Sequence, residues 1–205
     1  MNQHLEDIAE IRAMMERSTR FLSLSGLSGV FAGTFGLIAS GLAYFRIARD
    51  YNYSGSYNRL LENQALLEDL VKIGISALIL TLVAAFVLTY RRVKKNNQTL
   101  WNTASKRLLA NLMLPLVAGG LFCLILLQHA PHLIDSATLL FYGLALINAS
   151  KYTYNDIRYL GVAEVVLGII SGFMNDYYIG LFFWAFGFGV LHILYGILLY
   201  RKYEN

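Results

Sequence analysis

The chain has 205 residues, 57% of them hydrophobic and 15% charged, and its 17 Lys and Arg against 13 Asp and Glu give a formal net charge of +4 at pH 7. That composition excludes a disordered, strongly solvated chain, and the lone Cys123 excludes an intrachain disulfide framework. The positive charge comes without a nucleic-acid-binding module or an aromatic-basic platform, so no nucleic acid partner is expected.

The first twenty residues carry Leu5, Ile8, Ile11, Met14 and Met15 at near-helical spacing among Glu6, Asp7, Glu10, Arg12 and Glu16, which predicts a short amphipathic helix over 1–20. Its acids match or exceed its bases. It therefore suits a protein partner, or a second copy of the chain, better than an anionic membrane surface. So polar a lead-in is unlike a cleavable signal peptide, and the apolar run behind it is expected to stay in the membrane.

Six apolar stretches follow, over about 21–45, 70–90, 108–128, 133–149, 158–174 and 178–200. A hydrocarbon core of about 30 Å needs about 20 helical residues, and these runs are uniformly apolar, without the alternation of a barrel strand. The fold class read from them is all-α: a single polytopic transmembrane helical bundle over 21–205, with membrane lipids as its surroundings. Pro115, followed by Gly119 and Gly120, predicts a kink in the third span.

The connections set the orientation. Arg91, Arg92, Lys94, Lys95, Lys106 and Arg107 lie between spans two and three, Lys151 and Arg158 between four and five, and Arg201 and Lys202 in the tail. These ends, and with them both termini, are expected in the cytoplasm of a cell (inner) membrane protein. Asp50 to Asn58 reads as a polar outer loop, and Asn175 and Asp176 as a tight outer turn. Lys72, with Glu68 and Asp69 a turn before it, is expected to snorkel beside local ion pairs.

Two ionisable residues lie deep in the last two spans. Glu164 stands in Gly161-x-x-Glu164-x-x-x-Gly168 and His192 in Gly189-x-x-His192-x-x-x-Gly196. Residues three and four apart share a helix face, so the glycines are packing positions that place both polar groups against protein and away from lipid. Gly29 and Gly33, spaced with Ser25, mark a packing face on the first span in the same way. From the inner ends of their spans Glu164 lies about 9 Å deep and His192 about 13 Å, so contact is feasible. Asn111, Asn148, Ser25 and Ser28 share the inner half, and with Glu164 and His192 they outline a polar ligand or proton site. Interhelical hydrogen bonding, worth about 0.6–2 kcal/mol per contact, is the competing explanation.

Other candidates are weaker. His129, His132 and Asp135 are metal-capable, but Pro131 interrupts them and helix capping accounts for Asp135; neither a metal nor a cofactor is expected. Gly26-Leu27-Ser28-Gly29 together with His192 resembles the serine and histidine of rhomboid proteases, which also have a six-span core. In that family the serine lies on the fourth core span and opens outward, whereas Ser28 lies in the first span near the inner face.

The opening as a whole, Glu6-Asp7-Ile8, Ile11-Arg12, Met15-Glu16-Arg17-Ser18 and Arg20-Phe21 followed by Ser23-Leu24-Ser25-Gly26-Leu27-Ser28-Gly29, resembles a group of small, uncharacterised bacterial six-span integral membrane proteins. That resemblance implies fold and location but no activity. The function expected is non-enzymatic: an accessory or sensor module with a small ligand pocket around Glu164 and His192. A small proton-coupled transporter or channel using that pair is the alternative, and an intramembrane serine hydrolase a third reading.

Overall fold

The computed structural model describes residues 20–54, 63–97, 99–174 and 177–205. The amphipathic helix expected over 1–20 therefore lies outside the described residues, as does the turn at Asn175 and Asp176. The described residues form an all-α bundle without strands, with six helices long and apolar enough to cross a membrane. They are α1 (Gly26–Ser54), α2 (Gln64–Lys95), α3 (Thr103–His129), α4 (Ile134–Ala149), α5 (Asp156–Met174) and α6. The last has three parts, α-helical Tyr177–Trp184, π-helical Ala185–Leu191 and α-helical His192–Tyr203. Chain and geometry agree on an integral membrane protein.

Several boundaries differ from the hydropathy reading. Phe21 to Ser25 lie outside any helix. Their backbone groups pair with the α4–α5 connection: Phe21 N donates to the Tyr152 carbonyl at 2.8 Å and Thr153 Oγ1 to the Phe21 carbonyl at 2.8 Å. α1 then runs on through Ser54, so the stretch read as a loop from Asp50 is helical for its first five residues. α3 passes uninterrupted through Pro115. It begins in a capping box, in which Asn102 Oδ1 accepts from Ser105 N at 2.8 Å and Ser105 Oγ accepts from Asn102 N at 3.0 Å. α2 is capped by Asn63, whose side chain accepts from Leu66 N.

α1 packs between α2 and α6, while α4 packs between α3 and α5, and α5 returns to α6. Small residues allow the closest approaches. A Cβ at Gly161 would stand 2.7 Å from the Gly143 carbonyl oxygen, and one at Gly33 would stand 2.5 Å from the Gly189 carbonyl oxygen. Gly29 and Gly196 meet in the same α1–α6 seam, and Gly168 lies against the backbone of α4 at Ser136 and Leu140. Lipid offers apolar side chains no less favourable a surface than protein does, so association here rests on close packing and hydrogen bonds. The outward faces match: Ile75, Leu78, Ile79, Leu82, Val83 and Phe86 of α2 are each more than half exposed. At 32 residues α2 is about 48 Å long, well beyond a hydrocarbon core of about 30 Å, which leaves its ends for the interfaces.

Up-and-down topology gathers the Lys- and Arg-rich connections at one end of the bundle, together with the start of α1 and the end of α6. That basic end is tied by Glu204. Its carboxylate lies 3.1 Å from Arg92 Nη1, accepts from Gly26 N at the start of α1, and takes the Ser25 hydroxyl at 3.3 Å. Arg92 also donates to the Leu24 carbonyl, and through Nη2 to the Tyr203 carbonyl at 2.8 Å. Tyr154 stacks on Tyr203 with centroids 4.1 Å apart and donates to the Leu22 carbonyl. At the opposite end Arg46 bridges Asp69 at 2.8 Å and Asp50 at 3.1 Å, joining α1 to the start of α2. Lys72 pairs with Glu68 at 3.5 Å and Asp69 at 3.8 Å, both beside it on α2.

Candidate functional site

α5 carries its polar and small residues on one buried stripe, Gly161, Glu164, Gly168 and Ser171, while Val162, Val166, Ile169 and Phe173 face outward. The spacing of three, four and three residues keeps these positions on one helix face. With glycine a turn before and after it, Glu164 is drawn into the interface of α4, α5 and α6 and is 0% exposed.

His192, 5% exposed, meets it from α6, with Nδ1 lying 3.3 Å from Glu164 Oε1. The π-helical stretch immediately before His192 brings the Gly187 carbonyl within 2.9 Å of the same Nδ1. A carbonyl can only accept, so Nδ1 carries a hydrogen that points at Gly187. On the other side of the ring, Nε2 lies 2.9 Å from the Tyr142 hydroxyl of α4, which donates to it in the neutral imidazole. Both ring nitrogens are thus engaged. Neither oxygen of Glu164 has a hydrogen-bond partner among the described residues. The 3.3 Å approach is a contact between charges only when the ring is protonated and the carboxyl ionised, and it is not a hydrogen bond, because the Nδ1 hydrogen is aimed at Gly187.

The space around the carboxyl is filled. A Cβ at Gly187 would come within 2.5 Å of Glu164 Oε2 and 2.6 Å of Leu139 Cδ2, and Leu139 is itself 0% exposed. Trp184, Phe188, Tyr142 and His192 pack ring against ring along α6 and α4, with centroids 4.9 to 5.8 Å apart. The arrangement can hold and exchange a proton; it leaves no visible room for a larger ligand.

The other residues read as part of this site do not converge on it. Asn148 Nδ2 donates to the Asn111 carbonyl at 3.1 Å, and Asn111 Nδ2 to the Arg107 carbonyl at 2.8 Å, so this pair joins α3 to α4. Ser28 Oγ donates to the Ser25 carbonyl at 2.5 Å in the first turn of α1, beside Glu204. Asp135 is not the N-cap of α4; that position is Leu133, and the Asp135 carboxylate accepts from the Ser171 hydroxyl at 3.0 Å. Among the described residues no three His, Cys, Asp or Glu side chains gather to hold a metal ion. Tyr142 was missed because tyrosine is usually read as an interface residue. Its midspan position, with no membrane surface near it, is the signal that could have found it.

No family model, curated protein or solved structure matches this chain.

Proposed function

We propose that the chain is a non-enzymatic, multi-pass protein of a bacterial inner membrane, an accessory or sensor module whose responsive element is the Glu164–His192–Tyr142 cluster. One observation carries this reading: a completely buried carboxyl without a hydrogen-bond donor among the described residues, 3.3 Å from an imidazole. A buried group left so unsatisfied costs stability, and natural sequences keep such costs mostly at working sites. A proton is the ligand that fits a space already filled by Leu139 and the Gly187 backbone. The resemblance to small bacterial six-span proteins, the clustering of Lys and Arg at one end, and the start of α1 and the end of α6 at that same end support the location, with both termini cytoplasmic. Residues 1–20 are the segment offered to a protein partner or a second copy.

The π-helical stretch supplies a means of response. Such stretches are locally strained and frequent at functional sites, and this one holds the His192 ring through Gly187. Charging the ring or the carboxyl strengthens the Glu164–His192 contact at the expense of the Gly187 bond, which shifts α6 relative to α1 and α5. The hydrolase reading loses support, since the Ser28 hydroxyl bonds its own turn and both His192 nitrogens are occupied.

Backbone hydrogen exchange of the full-length protein in liposomes tests the proposal. Protection of 185–191 should differ between about pH 5 and pH 8, the range in which histidine changes charge, and the difference should vanish in Glu164→Gln. Equal protection at both pH values in the wild-type chain would sink the sensor reading. Proton flux into dye-loaded proteoliposomes, abolished by the same substitution, would instead favour the transporter.

A further inference from the structure

Glu164 needs a route to water if its proton is to move, and the two directions along the bundle are built differently. Toward the basic end its neighbours on α4 and α5 are apolar and tightly buried: Ala145, Leu146 and Ala149 on one helix, Leu160 and Gly161 on the other. Toward the opposite end the same stripe of α5 leads to Ser171, 5% exposed, whose hydroxyl donates to Asp135 at 3.0 Å. Asp135 stands in the first turn of α4, partly exposed, with its carboxylate against the backbone of Gly180. His132, on the turn before it, and His129 at the end of α3 are further titratable groups at that end of the bundle.

Leu139 lies between the two levels. Ser171 is seven residues from Glu164, about 10 Å along the helix, too far for a single proton transfer. Leu139 fills that interval: its Cβ faces Gly168, its Cδ2 faces the Gly187 position beside Glu164, and it is one helical turn from Asp135 on α4. Ser136 seals the flank by donating to the Gly168 carbonyl at 2.6 Å.

We propose that Glu164 exchanges its proton with the aqueous phase at the end away from the basic loops, through Asp135 and Ser171, with Leu139 as the side-chain gate. When Leu139 swings aside, water enters between Ser171 and Glu164. The Ser171 hydroxyl then turns from Asp135 to the water. Asp135, protonated from the aqueous phase, gives its proton to Ser171 Oγ as Ser171 releases its own to the water and the water releases one to an ionised Glu164 oxygen. Each O–H bond broken is matched by one formed, and no redox partner is involved. This rests on the proton-responsive reading of the Glu164 cluster and adds the side from which that cluster is reached.

The test is the infrared band of the protonated Glu164 carboxyl, followed after transfer of full-length protein in liposomes into heavy water. Glu164→Gln identifies the band by removing it. Asp135→Asn should slow the isotope shift by about tenfold and Leu139→Ala should hasten it by about tenfold, whereas Leu146→Ala, on the basic side, should leave the rate unchanged. Ser171→Ala substitutes for Asp135→Asn if that variant does not fold, with slowing again expected. Unaltered rates in the Asp135, Ser171 and Leu139 variants, or equal acceleration by Leu146→Ala, would overturn the route while leaving the cluster intact. Failure of Glu164→Gln to remove any carboxyl band would overturn the cluster reading and the route together.

Discussion

Two glutamates mark two levels of this bundle, and their surroundings are opposite. Glu204, at the basic end, is met by the Arg92 guanidinium, the Gly26 amide and the Ser25 hydroxyl. Glu164, in the interior, is met by a leucine, a glycine backbone and an imidazole whose hydrogen points elsewhere. The first, partly buried, follows the rule for a charge withdrawn from water, in which opposite charge, helix N-terminus and hydroxyl together offset desolvation. The second breaks that rule. The contrast teaches that burial of a carboxyl does not by itself identify its role; the inventory of its donors does. Glu204 fastens the tail to α1 and α2, whereas no hydrogen bond among the described residues fastens Glu164, which is why the proposed function places the responsive group there.

That difference can be broken from the structural side first. Arg92→Ala removes the cation from Glu204 and two donors from the Leu24 and Tyr203 carbonyls, and is expected to cost about 3 kcal/mol of stability, read from thermal or denaturant unfolding in detergent. Gly161→Ala should come next, at about 2 kcal/mol, because its Cβ meets the Gly143 carbonyl oxygen at 2.7 Å and the α4–α5 crossing has to open. Glu204→Gln keeps the shape but loses the charge, and about 1.5 kcal/mol is expected. Glu164→Gln should change stability by less than about 1 kcal/mol, since no donor is lost. A Glu164→Gln penalty as large as that of Glu204→Gln would mean that the two carboxyls do the same structural work.

Much of this fold was legible in the sequence, because bilayer-length apolar runs and charge alternation report directly on membrane crossing. Helix ends were less legible. Phe21 to Ser25 is as apolar as the helix that follows, yet it lies outside that helix and is bonded to Thr153 and Tyr154, some 130 residues away. The π-helical register of Ala185–Leu191 likewise has no hydropathy signature. At the site, glycine spacing singled out Glu164 and His192, and the structure brings them to 3.3 Å. Asn111, Asn148 and Ser28 were grouped with them by depth alone, and depth does not say which way a side chain faces. Arg92 and Glu204, with 111 residues between them, could not be paired from the chain.

The claim that separates the two glutamates is that protonation at Glu164, and not at Glu204, changes the structure around α6. Trp184 reports on that region directly, since its indole nitrogen donates to Thr138 Oγ1 at 3.2 Å and its ring packs on Phe188. With Trp101→Phe as background, Trp184 is the sole tryptophan, and its emission can be titrated between about pH 5 and pH 8 in liposomes. The expected result is a single transition that disappears in Glu164→Gln and persists in Glu204→Gln. A transition that survives Glu164→Gln, or that is lost equally in both variants, would contradict the assignment of the interior carboxyl as the responsive group.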